Sequence, residues 1–253
     1  MVLISGVIIG GYGYIQHIGK DWLHWNNQYN SIISFLGNPD FASAVMGILA
    51  AILFGVTWNS GRKIILRIIA GITTLFLFYV SYESQARQGW IIALAGIGLI
   101  ILVWIYQKHM ILGWVFTGGG LLGGLVIIAG MLQVGPLSNF LYKTSVTYRG
   151  DYWRAAWRMF RSHPIFGVGL DRYGYYFQQY RDATQTLRRT PQLLSNATHD
   201  VPLQLASTGG LILIIPYLAF TFYTGYRGYQ VIKNTTGTAQ IAVTGICAGW
   251  LTY

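Results

Sequence analysis

Residues 110–132 read MILGWVFTGGGLLGGLVIIAGML, a run with no charged side chain. A membrane-spanning helix needs about 20 mostly apolar residues, and this run satisfies that length without interruption. Toward the N-terminus, comparable runs occupy about Met1–Ile18, Phe41–Trp58, Lys63–Tyr82 and Gln88–Tyr106. Toward the C-terminus, one covers about Gly210–Tyr229, and a last begins near Ala239 and stops at Tyr253 with no flanking loop, as expected of a fragment of a longer protein. The first run lacks the basic n-region of a signal peptide. All seven read as membrane segments, so the expected fold class is all-α: a polytopic transmembrane helical bundle with a large helical loop between two spans.

Composition agrees. Of 253 residues, 53% are hydrophobic and only 9% are charged, against roughly 25% charged in a soluble globular chain. That excludes a soluble enzyme and a nucleic-acid-binding domain. The single cysteine, Cys247, excludes a disulfide framework or a cysteine metal site within one chain. No Asp-x-Asp pair, His-Glu-x-x-His, carboxylate cluster or Walker loop occurs, so neither a metal site nor a cofactor is expected.

Short loops set orientation through their lysines and arginines. Arg62, Lys63, Lys108, Arg227 and Lys233 fall on one side, while Lys20, Asp21, Glu83 and Arg87 fall on the other. The first side is expected to be cytoplasmic, together with the N-terminus. The expected division is five transmembrane helices over 1–132, an outer, periplasmic loop carrying the chemistry over 133–209, and transmembrane helices over 210–253, the last truncated. The outer segment holds nine basic residues (Lys143, Arg149, Arg154, Arg158, Arg161, Arg172, Arg181, Arg188 and Arg189) against Asp151, Asp171, Asp182 and Asp200. Loops this long are exempt from the orientation rule, so the arginines need another explanation. Guanidinium forks match phosphate oxygens, which points to a phosphate-bearing substrate at the outer surface.

From Tyr148 to Phe160 the spacing predicts a helix ended by Pro164, with Tyr152, Trp153, Ala156, Trp157 and Phe160 on its apolar face. At 100° per residue Arg149 falls on that face, while Arg154, Arg158 and Arg161 fall opposite as a solvated or headgroup-facing side. An inward Arg149 needs an anionic partner, either substrate or a structural carboxylate such as Asp151 or Asp171. Arg87 is open between an i,i+4 pair with Glu83 and a substrate role. His199 is a polar residue at a helix start, or a general base, for which imidazole is suited. His163, before Pro164, reads as a helix-end residue. Arg172 and the pair Arg188–Arg189 are candidates to hold glycan or lipid headgroups, with solvated loop charge as the alternative. Tyr173, Tyr175, Tyr176, Phe177 and Tyr180 are expected either to stack on sugar rings or, preferably, to form an aromatic belt at the membrane interface.

Four stretches resemble the superfamily of O-antigen ligases and O-antigen polymerases, the bacterial envelope glycosyltransferases. They are Gly37-Asn38-Pro39-Asp40; Ser84-Gln85-Ala86-Arg87-Gln88-Gly89; Arg149-Gly150-Asp151-Tyr152-Trp153 through His163-Pro164-Ile165-Phe166-Gly167-Val168-Gly169; and His199-Asp200 with Leu203-Gln204-Leu205 and Gly209-Gly210-Leu211. Ala86 stands where Ser is usual, and Asp200 where Asn is usual. The resemblance implies a multi-pass enzyme of the bacterial inner membrane with its active site facing the periplasm. It would move sugar from a polyprenyl-pyrophosphate-linked glycan to an acceptor hydroxyl on a glycan or on lipid A–core, without metal or cofactor. By motif position, His199 corresponds to the general base, and Arg87 and Arg149 to the arginines that bind the pyrophosphate. Two other classes compete: a lipid-linked glycan transporter or flippase, and a non-enzymatic scaffold of envelope assembly. A transporter would place charges inside its bundle. Here only Arg67 lies within a span, close enough to its cytoplasmic end to snorkel.

Overall fold

Gly37-Asn38-Pro39 starts the helix around which the first part of the chain is assembled. Gly37 takes a left-handed φ of 70°, Asn38 accepts the Asp40 N–H at 2.8 Å through its side chain, and Pro39 occupies the first helical position. Each is the residue type such a start favours. The computed structural model describes residues 1–23, 25, 32–59, 61–131, 144–183 and 194–251. Its helices are α1 (Val2–His17), α2 (Pro39–Trp58), α3 (Ile64–Glu83), α4 (Arg87–Lys108), α5 (Met110–Met131), α6 (Thr144–Ser162), α7 (Tyr173–Tyr180), α8 (Val201–Asn234) and α9 (Gly237–Leu251). No strand occurs among the described residues, and the all-α, polytopic fold class holds. Four helices, Pro39–Trp58, Ile64–Glu83, Gln88–Lys108 and Val201–Asn234, are long and apolar enough to cross a membrane. Among the described residues the other three expected spans fall on α1, α5 and α9, which are not among these four, and α8 starts earlier than expected.

Two compact units are present, Met1–Gly118 with Gly225–Tyr253, and Gly119–Thr224. In the first, α2 is central. Ser43, Gly47, Ala51 and Gly55 recur every fourth residue, all buried. Their small size lets other backbones approach. A Cβ on Gly47 would overlap the Gly89 carbonyl of α4, and one on Gly89 would overlap the Ser43 carbonyl and the Ser81 hydroxyl. At the other end of the stripe, Gly245 of α9 lies against Gly55 and Ala51. Membrane helices associate through such close contacts because lipid tails remove the usual hydrophobic drive. The opposite side of α2, with Ala42, Met46, Ala50 and Leu53, packs on Ala70, Leu77 and Val80 of α3. Arg67 does not simply snorkel: its Nε donates to the Thr57 carbonyl at 2.7 Å, one of the carbonyls a helix end leaves open. Beyond α1, Asp21 accepts hydrogen bonds from Tyr12, Gln16 and the Leu23 N–H. Desolvation alone would raise its pKa, but those bonds hold the carboxyl below its ordinary range.

In the second unit, α6 and α7 pack through Ala155, Ala156, Met159, Tyr173 and Phe177, with Val168. α8 breaks at Gly210, where φ is 61° and ψ −157°. The turn after α6 is paired to this break. Val168 and Gly169 N–H groups donate to the Ser207 and Thr208 carbonyls at 2.9 and 3.0 Å, and Leu211 and Ile212 N–H groups donate to the Pro164 and Ile165 carbonyls at 2.8 and 3.3 Å. The open groups on both sides of the break are thereby satisfied. Left-handed Gly167, Gly169 and Gly210 make this clasp possible, and a Cβ on Gly167 or Gly210 would overlap the facing backbone.

Gly89→Ala should destabilise the first unit by about 1–3 kcal/mol, the range for overpacking a filled site. Gly98→Ala on the same helix, where a Cβ meets nothing within 4 Å, should leave thermal unfolding of the detergent-solubilised protein unchanged. Equal melting temperatures for the two variants would contradict the packing described.

Candidate functional site

Helix α6 buries only part of the face expected: Ala156 is buried and Tyr152 packs against the same core, but the two tryptophans turn outward. Asp151, Ala155, Ala156 and Met159 are its buried residues, whereas Trp153 and Trp157 are 38% and 52% exposed and Arg149 is exposed with them. The aromatic spacing was a misleading guide because tryptophan is stable at a membrane–water boundary, while two alanines and a methionine suit close packing against α7. Arg149 therefore does not point into an apolar layer. Neither candidate carboxylate holds it: Asp151 pairs with Arg154, and Asp171 forms no ion pair among the described residues. Arg154 and Arg158 are also not merely solvated. Asp182 lies 3.9 Å from Arg154 and 3.3 Å from Arg158. Arg149 makes no ion pair among the described residues.

The aromatic residues of α7 are corrected too. Tyr173 and Phe177 are fully buried core residues, with Tyr176 and Tyr180 packed against them. Tyr173 donates to the Tyr152 carbonyl at 2.9 Å, and burial pushes its phenol far above the usual range, with Tyr152 adding to the shift. Tyr175 alone of the five is largely exposed, at 82%.

His199 sits in the segment leading into α8. It is exposed and has a left-handed φ of 56°, a conformation that non-glycine residues hold only when their surroundings impose it. The surroundings are visible on both sides. Thr198 is fully buried, its hydroxyl donates to the Asp200 carbonyl and accepts the Asp200 N–H, and its own N–H donates to Gln204 Oε1 at 2.9 Å. Asp200 Oδ1 accepts the Leu203 N–H at 2.9 Å, an N-cap of α8. That cap explains why α8 begins at Val201. Asp200 can fill the position where the related pattern has Asn, since both side chains accept the same hydrogen bond. The imidazole lies against Tyr152, ring centroids 5.7 Å apart. Tyr152 is one turn of α6 from Arg149, about 4.5 Å along the axis. The unit thus brings His199 and the Arg149 helix together through Tyr152, which the sequence reading placed on an apolar face and in a motif but not at the site.

Arg87 belongs to the other unit as the first residue of α4, and its side chain is outside the described ones. The loop before it is fixed. Ser84 Oγ is buried, donates to the Ser81 carbonyl and accepts the Ala86 N–H, and Gln85 has a left-handed φ of 58°. Glu83, the proposed intrahelical partner, lies 4.0 Å from His17 Nδ1. Arg172 is exposed at the start of α7 and makes no ion pair among the described residues; Arg188 and Arg189 lie outside them. His163 stands at the end of α6, as expected. Among the described residues, no group of three or more His, Cys, Asp or Glu side chains is arranged to hold a metal.

Residues 72–218, more than half of the chain, match the family model described as O-antigen ligase. No curated protein matches the chain. The matched region contains every candidate residue above.

Asp200→Ala should remove the cap at a cost of about 1 kcal/mol and raise amide exchange at Leu203 roughly fivefold, whereas Asp200→Asn should leave it near the parent value. Hydrogen exchange read by mass spectrometry checks this, and equal protection in both variants would refute the cap.

Proposed function

The chain belongs to the O-antigen ligase family, and from that premise we propose that it transfers sugar from a polyprenyl-pyrophosphate-linked glycan to an acceptor hydroxyl at the outer face of the bacterial inner membrane. As a member with four helices long and apolar enough to span, it is a multi-pass membrane protein, and its family implies lipid-linked glycan and polysaccharide substrates. The acceptor oxygen attacks the anomeric carbon and forms the new glycosidic bond. The bond from that carbon to the pyrophosphate oxygen breaks, and its electron pair leaves with the lipid pyrophosphate. His199 takes the hydroxyl proton. Arg87 and Arg149 stabilise the charge that grows on the leaving group, the kind of preorganised countercharge that accelerates such steps. Arg172, with Arg188 and Arg189, holds glycan or headgroup charge. No metal takes part.

The observation that supports this reading best is the placement of His199: exposed, in left-handed backbone between hydrogen-bonded neighbours, and packed on the tyrosine of the helix that carries the exposed Arg149, which makes no ion pair among the described residues. An exposed imidazole on constrained backbone suits general-base work.

Reconstituted in lipid with lipid-linked donor and a chelator, the protein should transfer sugar. Arg149→Ala and Arg87→Ala should each lower turnover at least a hundredfold while membrane insertion stays normal. Full activity in either variant removes its pyrophosphate role. Wild-type turnover should fall as the medium is acidified, because a protonated imidazole accepts no proton. Residual turnover of His199→Gln should lack that acid limb, and an unchanged profile would eliminate His199 as base. Product length separates single transfer from polymerisation.

A further inference from the structure

A polar pocket of about 650 Å³ opens in the second unit, lined by Asp171, Gly174, Tyr175, Gln178, Leu194 and Asn196. Its volume falls within the roughly 300–1,000 Å³ of small-molecule sites. Among its described lining residues the one charged type is an acid, Asp171, and no described arginine is among them. Asp171 has a left-handed φ of 57° and forms no ion pair among the described residues. Gly174 is what brings the two walls together. A Cβ there would approach Asn196 Oδ1 to 2.8 Å and the Ser195 carbonyl oxygen to 3.3 Å, so a side chain would displace the Asn196 amide from its place in the wall.

We propose that this pocket is a saccharide subsite that takes a hydroxyl-bearing sugar ring of the glycan substrate, away from the pyrophosphate; the assignment rests on the glycan-transfer reading above. A carboxylate in the wall disfavours phosphate. Asp171, Gln178 and Asn196 offer planar acceptors, and the two amides also donate, so adjacent ring hydroxyls can be met as donor and acceptor at once. Tyr175 presents an exposed amphipathic ring to the apolar face of the sugar. The pocket is on the reacting side of its unit. Asn196 is three residues before His199, a reach of at most about 10 Å of chain, and Phe177 of the helix that lines the pocket packs on Tyr152, which in turn packs on His199.

The test uses the whole protein in nanodiscs and, as probe, the neutral oligosaccharides that mild acid releases from the lipid-linked glycan pool of its own cell. Saturation-transfer NMR should show contact with wild type, lost in the double variant Tyr175→Ala/Gln178→Ala and recovered with Tyr175→Phe alone. Inorganic pyrophosphate should not compete. In transfer assays the double variant, and separately Asp171→Asn, should raise KM for one glycan substrate about tenfold with kcat within about twofold. A shift confined to the lipid-linked donor assigns the ring to the donor glycan, and one confined to the other substrate assigns it to the acceptor. Unchanged contact and unchanged KM for both substrates in a double variant that melts like wild type would overturn the subsite, as would competition by pyrophosphate. Loss of sugar transfer by the wild type with oligosaccharide contact intact would sink the transfer reading and leave the subsite supported.

Discussion

A helix surrounded by hydrocarbon gains little from burying leucine against leucine, so helices in the first unit must hold together by approaching closely. The stripe Ser43, Gly47, Ala51 and Gly55 supplies that approach. Gly89 of α4 fits one end and Gly245 of α9 the other. The placement of the loop at Ser84–Ala86, and hence the start of the helix that carries Arg87, follows from this contact. Gly89 lies two residues after Arg87, and its role is architectural: it sets the distance between α2 and α4 beside the start of α4.

The same division of labour recurs in the second unit. Glycines make the clasp between the turn after α6 and the break in α8, while Thr198, Asp200 and Gln204 fix the short segment that bears His199. The backbone at His199 is thus followed directly by a helix cap, and its imidazole lies against the Tyr152 ring. The left-handed backbone at His199 is a consequence of these constraints, and it keeps the ring accessible.

Much of the architecture was legible in the amino-acid order, because a span is a property of a whole segment and tolerates errors of a few residues. Helix starts at Pro39 and Val201 also carried local signals, Asn38-Pro39 and Asp200. The buried face of α6 was not legible. Trp153 and Trp157 outweigh two alanines on any hydrophobicity count, yet the alanines and Asp151 face inward. The tyrosines of α7 misled for the opposite reason: they look like an interface belt, but Tyr173 finds a backbone acceptor and can be buried. Both errors arise because periodicity locates a face without saying what covers it. Arg149 and His199 were candidates by residue type and motif position, but the packing of Tyr152 on His199, and the Asp171–Asn196 pocket, depend on contacts between segments far apart in the chain.

All four bonds of the clasp at Gly210 are made by main-chain groups. Ile165 and Phe166, both exposed, can therefore drift in identity without loosening it. The geometry of the clasp rests on three residues that have no side chain, Gly167, Gly169 and Gly210. The outward surface of this turn can change chemically while the path of the backbone beneath it stays where it was.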